Sequence, residues 1–172
     1  MREKEIITKN VFFYRMMSIN IGITEENNAI TGLFFGRDVP EGFIKKETPL
    51  IQKAALQIEE YFAGKRKKFA IPLAMHGTDF QMDVWRALQG IPYGETRSYK
   101  EIAALIGRPK AVRAVGMANH RNPISIIVPC HRVIGHNGAL VGYGAGLPIK
   151  QYLLELEQAH KKTPGAGTPG AK

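Results

Sequence analysis

Cys130, the only cysteine in the chain, is preceded by Pro129 and followed directly by His131 and Arg132. A free thiol, with a pKa of about 8.5, is mostly protonated at neutral pH, and a basic or cationic neighbour is the usual means of making it a nucleophilic thiolate. Two readings stay open. A lone cysteine is often a small buried hydrophobe, and adjacent residues on a strand point to opposite faces; a turn or helix start after Pro129 would instead bring both side chains into one pocket. A Cys and His pair also suits a hydrolase, in which thiolate attack gives an acyl-enzyme that water resolves. Glu157 could orient the histidine in either scheme, or it could be an exposed helix carboxylate. One cysteine excludes an intramolecular disulfide and a cysteine-rich zinc centre. The histidines at 76, 120, 131, 136 and 160 lack the paired spacing of metal motifs, so no metal is required.

The 172 residues suit one domain or two small ones sharing a core, and 44% hydrophobic with 23% charged residues is the composition of an ordinary globular protein. No signal peptide and no apolar run of transmembrane length is evident, so an intracellular, soluble, cytoplasmic protein is expected. The formal charge of +9 favours a polyanionic partner. Between Thr96 and Arg132 seven basic residues (Arg97, Lys100, Arg108, Lys110, Arg113, Arg121, Arg132) stand against one acid, Glu101, which marks a candidate phosphate-facing surface.

The elements that must position these groups are legible along the chain. Short apolar runs over residues 6 to 47, broken at Gly22, Asn27-Asn28 and Gly36, predict an antiparallel meander. Thr48-Pro49 starts a helix with Ile51, Ala54, Ala55, Ile58 and Phe62 on one face and Gly64 after its end. After His76 the pattern turns helical. Thr78 to Gln81 and Ser98 to Glu101 fit capping boxes, the first launching a stripe of Phe80, Val84, Trp85 and Leu88, the second a short helix ending at Gly107. Pro109 suits the first turn of a further helix, Lys110 to about Asn119, with Val112 and Val115 inward. Ile124 to Val128 reads as a buried extended run delivering Pro129 to Arg132. A glycine-rich loop (138 to 146) precedes a last helix from about Pro148 with Ile149, Tyr152, Leu153 and Leu156 inward, and the tail from 163 is expected to be disordered.

Two short helices across a glycine-containing turn predict a helix-turn-helix, and with it DNA as substrate. The bland alternative is a helical hairpin packing on a neighbour. The second helix offers Ala111, Ala114, Gly116 and Ala118, with Arg113 as its prominent side chain. That suits close, sequence-independent approach to a groove better than base reading. Chemistry on a base requires taking it out of the stack, and an inserted arginine is a plausible placeholder.

Pro129-Cys130-His131-Arg132-Val133, preceded by Asn122-Pro123, by Arg113 to Gly116 and by Ile91 to Tyr99, resembles the O-6-alkylguanine-DNA alkyltransferases, the methylated-DNA-protein-cysteine methyltransferases, over Phe80 to Glu157. The resemblance implies an α+β fold: a ribonuclease-H-like sheet-and-helix domain (1–75), a helical domain with a winged helix-turn-helix (76–160) and a tail (161–172). It makes Cys130 the nucleophile and alkyl acceptor, His131 its base through a water, Glu157 the group holding the histidine and Asn122 the support of the reactive turn. It implies that Arg113 replaces the flipped guanine and that Tyr99 helps rotate the nucleotide outward. Lys100, Arg108, Ala111, Gly116 and Arg132 would contact DNA, and Tyr99, Val133, Tyr143 and Gly144 would line the guanine pocket. The implied activity is irreversible, stoichiometric repair of O-6-alkylguanine, extending to O-4-alkylthymine, in double-stranded DNA entered from the minor groove, by a monomer without cofactor. A lesion sensor or helix-turn-helix regulator without chemistry is the alternative, although sensors related to the family carry Trp at the cysteine position. The family's loop often reads Gly-Tyr-x-Gly-Gly, whereas here it is Gly142-Tyr143-Gly144-Ala145-Gly146, which touches pocket width.

Overall fold

The computed structural model describes residues 7–162. Three strands, β1 (Lys9–Met16), β2 (Ile19–Glu26) and β3 (Ala29–Phe35), form the expected antiparallel meander, and a short β4 (Ile44–Lys45) adds in parallel beside β1, giving the order β3-β2-β1-β4. Both hairpins close with two residues at positive φ, Met17-Ser18 and Asn27-Asn28. That is the backbone twist two-residue hairpins need, and asparagine adopts it readily. Gly22 is not a break. It lies inside β2, where an added Cβ would come within 2.4 Å of the Phe34 ring on the neighbouring strand.

Helix α1 (Pro49–Phe62) starts as predicted: the Thr48 side chain accepts from the Ile51 N–H at 3.1 Å, and Pro49 occupies the first turn. Its buried face covers the sheet and joins Val11, Ile21, Ile23, Ile30 and Leu33 in complete burial. The helical part follows with α2 (Asp79–Gln89), the two-residue β5 (Arg97–Ser98), α3 (Tyr99–Leu105) and α4 (Val112–His120). Thr78 and Ser98 both form complete capping boxes, so the sequence signal and the structure coincide there. The Trp85 indole N–H donates to the Ala118 carbonyl at 2.9 Å and pins α2 to α4. One apolar cluster runs from the sheet through α1 into these helices, a mixed α+β fold with a sheet domain first and a helical domain second.

Several expectations require correction. Helix α4 begins at Val112, because Arg108 to Ala111 close a turn in which the Ala111 N–H donates to the Arg108 carbonyl. Val112 is then 37% exposed, while Val115 is fully buried. Ile124 to Val128 is not extended. Ile124 makes a single parallel bridge to Leu33, after which Ile126 takes φ 71° and the Val128 N–H turns back to the Ile124 carbonyl. An apolar run shows burial but cannot by itself tell a strand from a wound segment. Cys130–Arg132 forms one turn of 3-10 helix, followed by β6 (Val133–Ile134), which pairs in parallel with β5, and by α5 (Leu147–His160). The expectation for the tail from 163 lies outside the described residues.

Candidate active site

Cys130 and His131 lie in one turn of 3-10 helix and not on a strand, and both are buried, at 3% and 0% exposure. Asn122 holds the segment leading into that turn. Its amide donates to the Val128 carbonyl at 2.7 Å, and its oxygen accepts from the Ile124 N–H at 3.0 Å. Asn119, on the last turn of α4, donates to the Cys130 carbonyl at 3.3 Å. The thiol borders a cavity of about 220 Å³ shared by Asn122, Ser125, Tyr143, Gly144 and, from the sheet domain, Leu33 to Phe35.

Glu157, 1% exposed on α5, accepts five hydrogen bonds. His131 Nε2 lies at 2.6 Å, the Tyr61 hydroxyl at 2.6 Å, the Gly94 N–H at 3.0 Å, and Arg132 Nε and Nη2 at 2.8 and 3.1 Å. Burial alone would raise the Glu157 carboxyl, but the bond and charge of His131 together with Arg132 reverse this and hold it down to about 2. An ionised carboxylate only accepts, so His131 Nε2 must carry the proton, which leaves the Nδ1 lone pair as the basic atom. Nδ1 is buried and has no protein partner among the described residues. Burial pushes the imidazole down, against the bond to and charge of Glu157. Burial likewise pushes the Cys130 thiol up, opposed by the Asn122 amide and the charge of Lys150. Burial thus works against the charged form of both groups.

Arg132 corrects the expectation that it faces DNA. Besides its bonds to Glu157 it donates to the Ile91 carbonyl at 2.7 Å and is 6% exposed, so it serves the carboxylate and is closed to phosphate. Tyr99, the first residue of α3, sends its hydroxyl to the Val141 carbonyl at 3.0 Å. Neither Tyr99 nor Val133 lines the cavity itself, and the Val133 carbonyl is taken by Lys150, whose ammonium donates to it at 2.6 Å and to Val141 at 3.0 Å. Lys100, Arg113 and Arg108 are exposed on α3, α4 and the turn between them, while Ala111 and Gly116 are half-buried. Gly116 lies against the Tyr99 ring, which an added Cβ would approach to 3.9 Å.

Four groups escape a reading of the sequence alone: Lys150, Asn119, Tyr61 and the Leu33 to Phe35 wall. For Lys150 a signal exists, since it stands three residues before Leu153 and seven before Glu157, on one helical face. Tyr61 similarly follows Ala54 and Ile58 on the apolar face of α1. The contribution of Leu33 to Phe35 has no local signal, because it depends on the contact between the two domains. Among the described residues no helix is long and apolar enough to cross a membrane.

The chain is similar over most of its length to proteins of one family. The profile of the 6-O-methylguanine DNA methyltransferase DNA binding domain matches residues 79–159, and that of the same family's ribonuclease-like domain matches residues 18–75. The methylated-DNA–protein-cysteine methyltransferase of Methanosarcina acetivorans is 59% identical over 70% of this chain and 76% of its own length. The constitutive one of Bacillus subtilis is 51% identical over 81% of this chain and 90% of its own. Among solved structures, Mycobacterium tuberculosis OGT in complex with DNA superposes with a TM-score of 0.83 at 43% identity, covering 91% of this chain and 96% of that one.

Proposed function

The chain belongs to the 6-O-methylguanine DNA methyltransferase family, and we propose that it repairs DNA by moving the alkyl group of O-6-alkylguanine irreversibly onto its own Cys130. The observation that supports the residue assignment is the buried His131, next in the chain to Cys130, whose Nε2–H is fixed by an ionised Glu157 and whose Nδ1 has no partner among the described residues. His131 takes the thiol proton at Nδ1, directly or through one water. The sulfur attacks the alkyl carbon in line, the carbon–oxygen bond breaks, and its electron pair goes to O6. Guanine leaves in its 6-oxo form as a ring nitrogen takes up a proton, balanced overall by the thiol proton that His131 received; Tyr99 can act as the immediate donor once its hydroxyl leaves the Val141 carbonyl, and is then reprotonated. Glu157 stabilises the imidazolium formed on the way. The product on Cys130 is a thioether. It has no carbonyl for water to attack, so each molecule acts once.

The partner is double-stranded DNA. A thin α4, with Ala114 and Gly116 beside the exposed Arg113 and Ala111 just before its first turn, favours close approach from the minor groove, with Arg113 filling the place of the flipped base. Tyr143 and Gly144 then border the bound guanine, and Lys100 and Arg108 meet phosphate. The domains divide as 1–75 and 76–160, and the protein acts as a monomer in the cytoplasm, where the DNA is.

The test is intact mass after incubation with an oligonucleotide carrying one O-6-methylguanine, followed by peptide mapping. A gain of one methylene on the Cys130 peptide at one-to-one stoichiometry, absent in Cys130→Ser while DNA binding persists, is the expected outcome. Binding without any mass change would make the protein a sensor, and repeated turnover on an ester would make it a hydrolase.

A further inference from the structure

The cavity in front of Cys130 is not built by the helical domain alone. The main chain of β3, an edge strand of the sheet, is stitched to the segment that leads to the cysteine. The Leu33 N–H donates to the Pro123 carbonyl at 2.9 Å, and the Leu33 carbonyl accepts from the Ser125 N–H at 3.0 Å. Phe35 lies two residues beyond this bridge and so shares the face of the fully buried Leu33. Its half-buried ring meets the Tyr143 ring edge to face, centroids 6.2 Å apart at 63°.

Tyr143 stands on a loop whose main chain is held at Val141, which accepts from Lys150 and Tyr99, and at Tyr143, whose carbonyl accepts from the Gly146 N–H. Gly142 and Gly144 flank it, Gly142 at φ 52°, and its hydroxyl is buried without a hydrogen-bond partner among the described residues. On its sheet side the ring packs against Phe35, anchored by a strand bonded to the reactive segment itself. A wall fixed in this way limits what fits between Tyr143 and Cys130.

We propose that Phe35, from the sheet domain, is a specificity-determining residue that sets how large an O-6-alkyl group the acceptor cavity admits. This rests on the alkyl-transfer reading above. A smaller residue at 35 lets Tyr143 tilt back and gives a bulky group room, whereas a larger one presses it toward the sulfur. Differences of one or a few carbons in such a pocket are worth roughly tenfold or more in relative rate.

The experiment measures single-turnover rates on two oligonucleotides of one sequence, carrying O-6-methylguanine or O-6-benzylguanine. With wild type as reference, Phe35→Ala should raise the benzyl-to-methyl rate ratio by about tenfold, and Phe35→Trp should lower it. If Phe35→Ala does not fold, Phe35→Leu and Phe35→Trp test the same ordering by size. Variants that slow or spare both substrates equally, leaving the ratio where it was, overturn the assignment. Wild-type protein that transfers neither group counts against alkyl transfer itself, and so is distinguishable from a failure of the role of Phe35.

Discussion

Glu157 is a buried carboxylate whose charge is balanced by Arg132 and whose geometry is set by Tyr61 and the Gly94 N–H, so much of the fold's polar interior depends on one side chain. Its carboxyl is held at about 2 against an ordinary 4.5. A depressed carboxylate contributes stability that is present above the unfolded pKa and is lost as pH falls from about 4.5 toward 2. By linkage this is roughly 3 kcal/mol. Urea unfolding at successive pH values should show that loss in wild type and not in Glu157→Gln. At pH 7 the variant should be less stable by about 3–5 kcal/mol, since Arg132 is left buried and unpaired. Lys150 is a second buried charge: burial lowers its ammonium to about 8, against the pull of Cys130. Lys150→Met removes the donor that ties Val133 to Val141, together with the charge that favours the thiolate. Alkyl transfer should slow by roughly tenfold or more, and the pH at which iodoacetamide labels Cys130 should move up. An unchanged labelling profile would confine Lys150 to a structural part.

At the scale of elements, the positions of α3 and α4 are set in part by local rules. The Ser98 capping box fixes where α3 begins and therefore where Tyr99 stands, and the Tyr99 ring rests on Gly116 of α4. Arg113 projects from the exposed side of that second helix. If it replaces a flipped base, Arg113→Ala should slow repair of duplex DNA by roughly tenfold or more, given the few kcal/mol that unstacking costs. Reaction with free O-6-alkylguanine, which has no stack to leave, should be affected far less. Comparing the two single-turnover rates checks this, and equal losses would contradict the stacking role.

At the scale of the whole molecule, the formal charge of +9 predicts binding driven by phosphate contacts and released counterions. Duplex affinity of Cys130→Ser, which cannot consume its ligand, should fall steeply with salt. Lys100→Ala should weaken binding to all sequences alike and reduce the slope of log affinity against log salt by about one. A slope unchanged by Lys100→Ala would remove that residue from the contact surface. Arg132 supplies none of this attraction, being enclosed with Glu157.

Features that depend on neighbours a few residues apart are legible in the amino-acid sequence: the caps at Thr48, Thr78 and Ser98, the apolar face of α1, and the short helices α2 and α3. These are settled by backbone hydrogen bonds and side-chain periodicity within one or two turns, which a sequence displays directly. What only the tertiary structure decided joins residues far apart in the chain. Arg132 turned inward because Glu157, on a distant helix, offered a buried carboxylate. The run from Ile124 wound up instead of extending because Leu33 and Asn122 took its main-chain groups. Phe35 reached the acceptor cavity because an edge strand of the first domain pairs with the reactive segment of the second. Burial and pairing across such distances follow from the packing of the whole chain, and no local pattern encodes them.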